Sequence, residues 1–161
     1  MTGVGFVEVG PRDGLQNEPA VIGTSDKLAL ITRAIAAGAR RIEVASFVNP
    51  ARVPQMADAE AVCAGLPERA DVTYIGLALN RRGADRALAT GRIDQVGAVA
   101  VASDAFGIAN QSQTSDASVK EAQAIVAAAR AAGRSGQVTI AAAFGCPFSG
   151  PVDPGRVVAM A

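Results

Sequence analysis

The stretch Gly5-Phe6-Val7-Glu8-Val9-Gly10-Pro11-Arg12-Asp13-Gly14-Leu15-Gln16-Asn17-Glu18 sets a short apolar run against a turn that carries a guanidinium and a carboxylate side by side. A strand over 5–9 places Arg12 and Asp13 at its exit, with a turn glycine directly after them. A metal-assisted carbonyl or carboxylate site uses such a pair, as one hard oxygen ligand and one fixed cation. The plainer alternative is a surface ion pair closing a βα turn, which contributes only about 0–1 kcal/mol. The same turn separates two kinds of parallel sheet. A dinucleotide-binding, doubly wound sheet wants G-x-G-x-x-G here, so that backbone can approach a pyrophosphate. This chain has Gly10-Pro11-Arg12-Asp13-Gly14-Leu15 instead, and G-x-x-x-x-G-K-[ST] occurs nowhere in it.

Working outward, β-branched runs alternate with longer, Ala-rich amphipathic stretches, which is the pattern of repeated βα units around a parallel sheet. The expected strands are 5–9, 41–45, 73–79, 95–102 and 137–143. Thr24 or Ser25 is expected to cap a first helix that runs through Leu28, Ile31 and Ile35 to a stop at Gly38. Further helices are expected over 59–64, over 82–90 with a stop at Gly91, and from Ser115 or Asp116 to near Gly133, with Val119, Ile125 and Val126 turned inward. Asp153 followed by Pro154 reads as an N-cap and a first helical position, opening a last helix. That helix runs to Ala161 without a stop signal, an ending expected of a truncated chain. One α/β domain, or part of one, is expected over 1–161, since no stretch is Pro/Ser-rich or charged enough to be a linker.

Composition narrows the function classes. Fifteen basic and fifteen acidic residues balance, and no Lys/Arg run marks a nucleic-acid or membrane surface, so neither partner is expected. Cys63 and Cys146 lie far apart with no CxxC or Cys/His spacing, and both read as small buried hydrophobes. No apolar segment has the length of a membrane span or the flanks of a signal peptide, and a cytoplasmic location is expected.

The run from Val7 to Glu18 resembles, almost residue for residue, the signature of the 3-hydroxy-3-methylglutaryl-CoA lyase family. The resemblance continues through Ile42-Glu43-Val44-Ala45-Ser46-Phe47-Val48-Asn49-Pro50, Val53-Pro54-Gln55-Met56-Ala57-Asp58, Asn80, and Phe144-Gly145-Cys146-Pro147-Phe148, in the family's order. It implies a partial TIM (β/α)8 barrel of about five βα units. It also implies an acyl-CoA substrate, a divalent cation (Mg²⁺ or Mn²⁺), and cleavage of 3-hydroxy-3-methylglutaryl-CoA to acetyl-CoA and acetoacetate. Carried over by position, Asp13 would be a metal ligand and Arg12 the cation that stabilises the enolate. Glu43 could orient Arg12 or a metal-bound water, or only balance Arg12. Gln16 would hold the first loop, and Ser46 and Asn80 would line the substrate pocket. Cys146 matches a Gly-Cys-Pro segment other than the family's mobile-loop cysteine and is expected to be structural.

The departures concern what the chain lacks. Barrels of this type take about 250 residues, against 161 here, and the chain has no histidine where the family holds its metal with a His-x-His pair. With one ligand present, the isolated chain is expected to hold Mg²⁺ weakly, to lack useful lyase activity, and to associate or misfold through open sheet edges; a native homo-oligomer is also possible. Two other readings stay open. One is a non-catalytic relative acting as a binding or assembly module; the other is a related acyltransferase that condenses acetyl-CoA with 2-oxo acids. Gly10-Pro11 before Arg12, and Leu15-Gln16-Asn17-Glu18 after it, fit the lyase branch better than the acyltransferase motif Leu-Arg-Asp-Gly.

Overall fold

A computed structural model describes residues 4–161. Its frame is a four-stranded parallel sheet of β1 (Arg41–Ser46), β2 (Thr73–Leu77), β3 (Gln95–Val101) and β4 (Ser135–Ala141), in the order β1-β2-β3-β4. That sequential order decides the architecture. A doubly wound sheet reverses direction at a switch point, whereas strands that each pair only with their neighbours in sequence build a wall of a (β/α) barrel.

The expected first strand is not a full strand. Residues 5–9 meet the sheet at one parallel bridge, Glu8 to Ile42, fixed by Glu8 N donating to Arg41 O at 2.9 Å and Glu43 N donating to Glu8 O at 2.8 Å. The ladder then ends because Gly10–Gly14 coils into a π-helical turn headed by Pro11, which has no N–H to donate. Only Pro11 of that turn is buried.

The helices are α1 (Thr24–Ala36), α2 (Ala59–Gly65), α3 (Arg81–Ala89), α4 (Asp104–Gln111), α5 (Ser115–Ala131) and α6 (Pro154–Met160). The N-cap of α1 is Gly23, not Thr24 or Ser25, because the Thr24 hydroxyl is spent on Asp58 Oδ2 at 2.6 Å. Gly38 follows the helix at φ 108°, as its expected stop requires. Thr114 caps α5, and Asp153 caps α6 by accepting from Gly155 N. Helix α4 was not expected from the periodicity, nor was the small antiparallel pair of β5 (Gly145–Cys146) and β6 (Gly150–Pro151).

The core lies between the sheet's outer face and the helices: Ile42 and Val44 of β1 and Val96 and Ala98 of β3 pack with Ile31 and Ile35 of α1, Val62 of α2, and Ile125 and Ala129 of α5. Phe47 covers Gly76, where a Cβ would come within 2.8 Å of its ring. The opposite face is more polar. Arg41 Nη2 donates to Gln95 Oε1 at 2.6 Å and reaches Gln137 Oε1 at 3.4 Å, so one guanidinium spans β1, β3 and β4.

A register shift in β1 matters for the site. Glu43 pairs with Ile75 but Ala45 pairs with Gly76, so Val44 and Ala45 together oppose one step of β2. Both pack into the outer core, and Ser46 comes into register with Leu77 on the inner face. Without the bulge, strict alternation from Ile42 and Val44 would turn Ser46 outward.

Candidate active site

The inner face opens at the carboxyl ends of the strands into a cavity of about 630 Å³. Four successive junctions contribute: Arg12, Asp13 and Gln16 from the first loop, Asn49 after β1, Asn80 after β2 and Phe106 after β3. Barrel enzymes carry their chemistry at this mouth.

Arg12 is the centre of the polar arrangement. Its Nε donates to Glu43 Oε1, and its Nη1 donates to Asp13 Oδ1 at 2.8 Å. The Arg12 and Glu43 side chains are 14% and 11% exposed, whereas that of Asp13 is 54% exposed. The guanidinium is therefore fixed from beneath by a buried carboxylate, while the second carboxylate faces the open mouth. In so covered a setting a charge-assisted pair is stronger than an exposed one. The π-turn supplies the geometry: Asp13 N and Arg12 N both donate to Val9 O, and Asn17 Nδ2 donates to Asp13 O at 2.7 Å.

The expected site residues thus fall into two groups. Arg12, Asp13 and Glu43 form one connected cluster, and Gln16 lies beside it with a buried Oε1 that has no hydrogen-bond partner. Ser46 is fully buried, and its Oγ likewise lacks a partner. Asn80 lines the cavity, but its side chain is committed to the fold, since Oδ1 accepts from Gly83 N at 2.9 Å and caps α3. Replacing Asn80 by Ala is expected to cost about 1 kcal/mol and to lower the melting temperature by about 2–4 °C; an unchanged thermal melt would refute the cap.

The wall from α4 was missed. Phe106, Ala109, Asn110 and Gln111 face the cavity. The available signal was Ser103 followed by Asp104, an N-cap and an acidic first turn; Ser103 Oγ does accept from Phe106 N at 3.3 Å. Cys146 does not line the cavity. Burial pushes its thiol up, but bonds from Ser103, Ser149 and the 148–149 backbone outweigh this and hold it down at about 7, whereas burial pushes Cys63 up to about 11.

Asp13 is a suitable oxygen donor for a hard divalent cation. Among the described residues no group of three His, Cys, Asp or Glu side chains is placed to enclose a metal.

The model of the HMGL-like family matches residues 3–161. The chain belongs to the HMGL-like family. The (R)-citramalyl-CoA lyase of Chloroflexus aurantiacus is 42% identical over all of this chain and 54% of its own length. The 3-hydroxy-3-isohexenylglutaryl-CoA/hydroxy-methylglutaryl-CoA lyase of Pseudomonas aeruginosa is 43% identical over 96% of this chain and 51% of its own. Among solved structures, hydroxymethylglutaryl-CoA lyase from Pseudomonas aeruginosa superposes with a TM-score of 0.89 at 43% identity, covering 96% of this chain and 51% of that one. An HMG-CoA lyase from A. baumannii, solved in complex with coenzyme A and 3-methylmalate, gives 0.89 at 35% identity over 96% and 50%. The four-stranded wall is therefore the TIM-type barrel wall of HMGL-like lyases. The chain spans about half the length of the curated relatives it matches. Among the described residues, no helix is long and apolar enough to cross a membrane.

Proposed function

We propose that this chain supplies the Arg12, Asp13 and Glu43 part of the active site of a C–C lyase acting on a 3-hydroxy-3-methylglutaryl-type CoA thioester. The observation that carries the reading is the guanidinium fixed on buried Glu43, with Asp13 beside it, at the carboxyl mouth of the sheet. Cleavage removes the proton of the tertiary hydroxyl and breaks the bond between the carbinol carbon and the methylene next to the thioester. The electron pair of that bond moves into the thioester as an enolate, the carbinol carbon becomes the ketone of acetoacetate, and protonation of the enolate carbon releases acetyl-CoA.

In this reading Arg12 stabilises the charge that appears. A preorganised donor aimed at a developing oxyanion lowers the barrier without reorganising during the step, and Glu43 keeps Arg12 in that pose. Gln16 brings a buried, unsatisfied amide oxygen to the same wall, able to accept from a substrate hydroxyl. A divalent cation, Mg²⁺ or Mn²⁺, held at Asp13 would lower the pKa of the substrate hydroxyl. Its other ligands would come from the half of the relatives' length that this chain does not match.

The test joins residues 1–161 to the unmatched remainder of the Pseudomonas aeruginosa lyase and follows thioester cleavage with Mg²⁺ or Mn²⁺ present. Acetyl-CoA and acetoacetate from 3-hydroxy-3-methylglutaryl-CoA are expected. A folded hybrid that releases no acetyl-CoA from this thioester or from citramalyl-CoA would overturn the proposal. Citramalyl-CoA is included because of the 42% identity to a lyase named for it.

A further inference from the structure

The segment Val53-Pro54-Gln55-Met56-Ala57-Asp58 has so far no part in the chemistry, yet side chains tie it to both the first loop and α1. Pro54–Met56 forms one 3-10 turn. From it the Gln55 side-chain amide donates to Glu18 O at 2.9 Å, while the Gln55 carbonyl accepts from Lys27 Nζ at 2.5 Å. Lys27, on α1, is only 2% exposed, and its ammonium also pairs with Asp58 Oδ1; Asp58 Oδ2 in turn takes the Thr24 hydroxyl. A buried ammonium is tolerable only with such partners, so the turn carrying Gln55 is held in one place relative to α1.

Glu18 lies on the connection that runs from Gly10 to the start of α1 at Thr24. Among the described residues, three side-chain hydrogen bonds fasten residues 10–18 to residues outside the loop: Gly10 N to Glu8 Oε1 and Arg12 to Glu43 near its start, and Gln55 to Glu18 further on. The π-turn holds Arg12 and Asp13 through Val9 O, but without the Gln55 bond residues 14–18, which carry Gln16, would keep hydrogen bonds only within the loop and could swing away from the cavity wall. We propose that Gln55, held in turn by Lys27, is a positioning residue that fixes the far end of the Arg12–Asp13 loop. This rests on the reading of Arg12, Asp13 and Gln16 as site residues, and it gives the 53–58 motif a function distinct from core packing.

Amide hydrogen exchange on the hybrid that joins residues 1–161 to the remainder of the Pseudomonas aeruginosa lyase tests it with three forms: the parent, Gln55→Leu, and Gln55→Lys, which keeps a donor at similar reach. In Gln55→Leu, exchange over 10–18 should accelerate about five- to tenfold, the scale of one lost hydrogen bond, while 73–77 and 95–101 keep the parent rates. Gln55→Lys should restore slow exchange over 10–18. Unchanged exchange over 10–18 in the leucine form, equal acceleration in β2 and β3, or no recovery in the lysine form each overturns the proposal. Exchange reads loop order whether or not the assembled protein is a lyase, so an inactive hybrid with a normal exchange response would sink the lyase reading and leave Gln55 in its role.

Discussion

Replacing Arg12 by glutamine in the hybrid lyase is expected to lower kcat by about a thousandfold with little change in KM. Loss of one preorganised oxyanion donor costs about 10²–10³ in rate, and Arg12 loses more than one contact. Its Nε is engaged by Glu43 and its Nη1 by Asp13, so the neutral amide also abandons the position of the carboxylate beneath it. Lysine should recover little, because an ammonium cannot bond to Glu43 and Asp13 while offering the planar fork to a third oxygen. A glutamine variant whose kcat stays within tenfold of the parent would exclude Arg12 as the stabilising cation. A rise in KM at unchanged kcat would assign it to ground-state binding instead.

Asp58→Ala is expected to remove about 3–5 kcal/mol of stability, because it strands a buried charge. Lys27 Nζ is left with the Gln55 carbonyl as its remaining partner, at a site where the residue is 2% exposed. Removing both charges with Lys27→Met and Asp58→Leu should cost far less than Asp58→Ala alone, a non-additivity that denaturant titration of the three variants reads directly. If Asp58→Ala cost under about 1 kcal/mol, the pair would be no better than a surface bridge.

The pair also has a definite pH signature. Burial raises the Asp58 pKa, but the bonds from Lys27 and Thr24 and the charge of Lys27 outweigh it, holding the carboxyl below its ordinary 3.8. A group depressed in the folded state contributes its full stability above the unfolded value. That contribution is lost as pH falls from about 3.8 through the lower folded value. Acid titration of the parent should show this loss, and Asp58→Asn should flatten the curve over the same window.

The parts legible from the chain alone share one property: they depend on near neighbours. Asp153 before Pro154 is a local start signal, Gly38 a local stop, and the repeated βα pattern a matter of period. Gly10-Pro11-Arg12-Asp13 excluded a phosphate loop and placed the cation and carboxylate at a βα turn. The family motifs extended that reading to Glu43, which the structure brings to Arg12. Residues 5–9 read as a strand because they are apolar and β-branched, yet pairing stops at Glu8 where Pro11 and the π-turn take over. Helix α4 escaped because its caps are clear while its apolar face is short.

What only the tertiary structure decided involves partners distant in sequence. Strand order separates a barrel wall from a doubly wound sheet, and order is a property of pairing that periodicity does not contain. The bulge at Val44 and Ala45 turns Ser46 from the helix side to the inner face, a shift of one residue that β1 adopts only against β2. The Thr24 hydroxyl leaves the cap of its own helix for Asp58, 34 positions away, and Gln55 reaches Glu18 across 37. Local propensity governs which elements form, because a residue's dihedral preferences and apolar spacing act within a turn or two. Which side chains face the same cavity follows from burial and charge pairing between elements, and those energies exist only once the sheet has assembled.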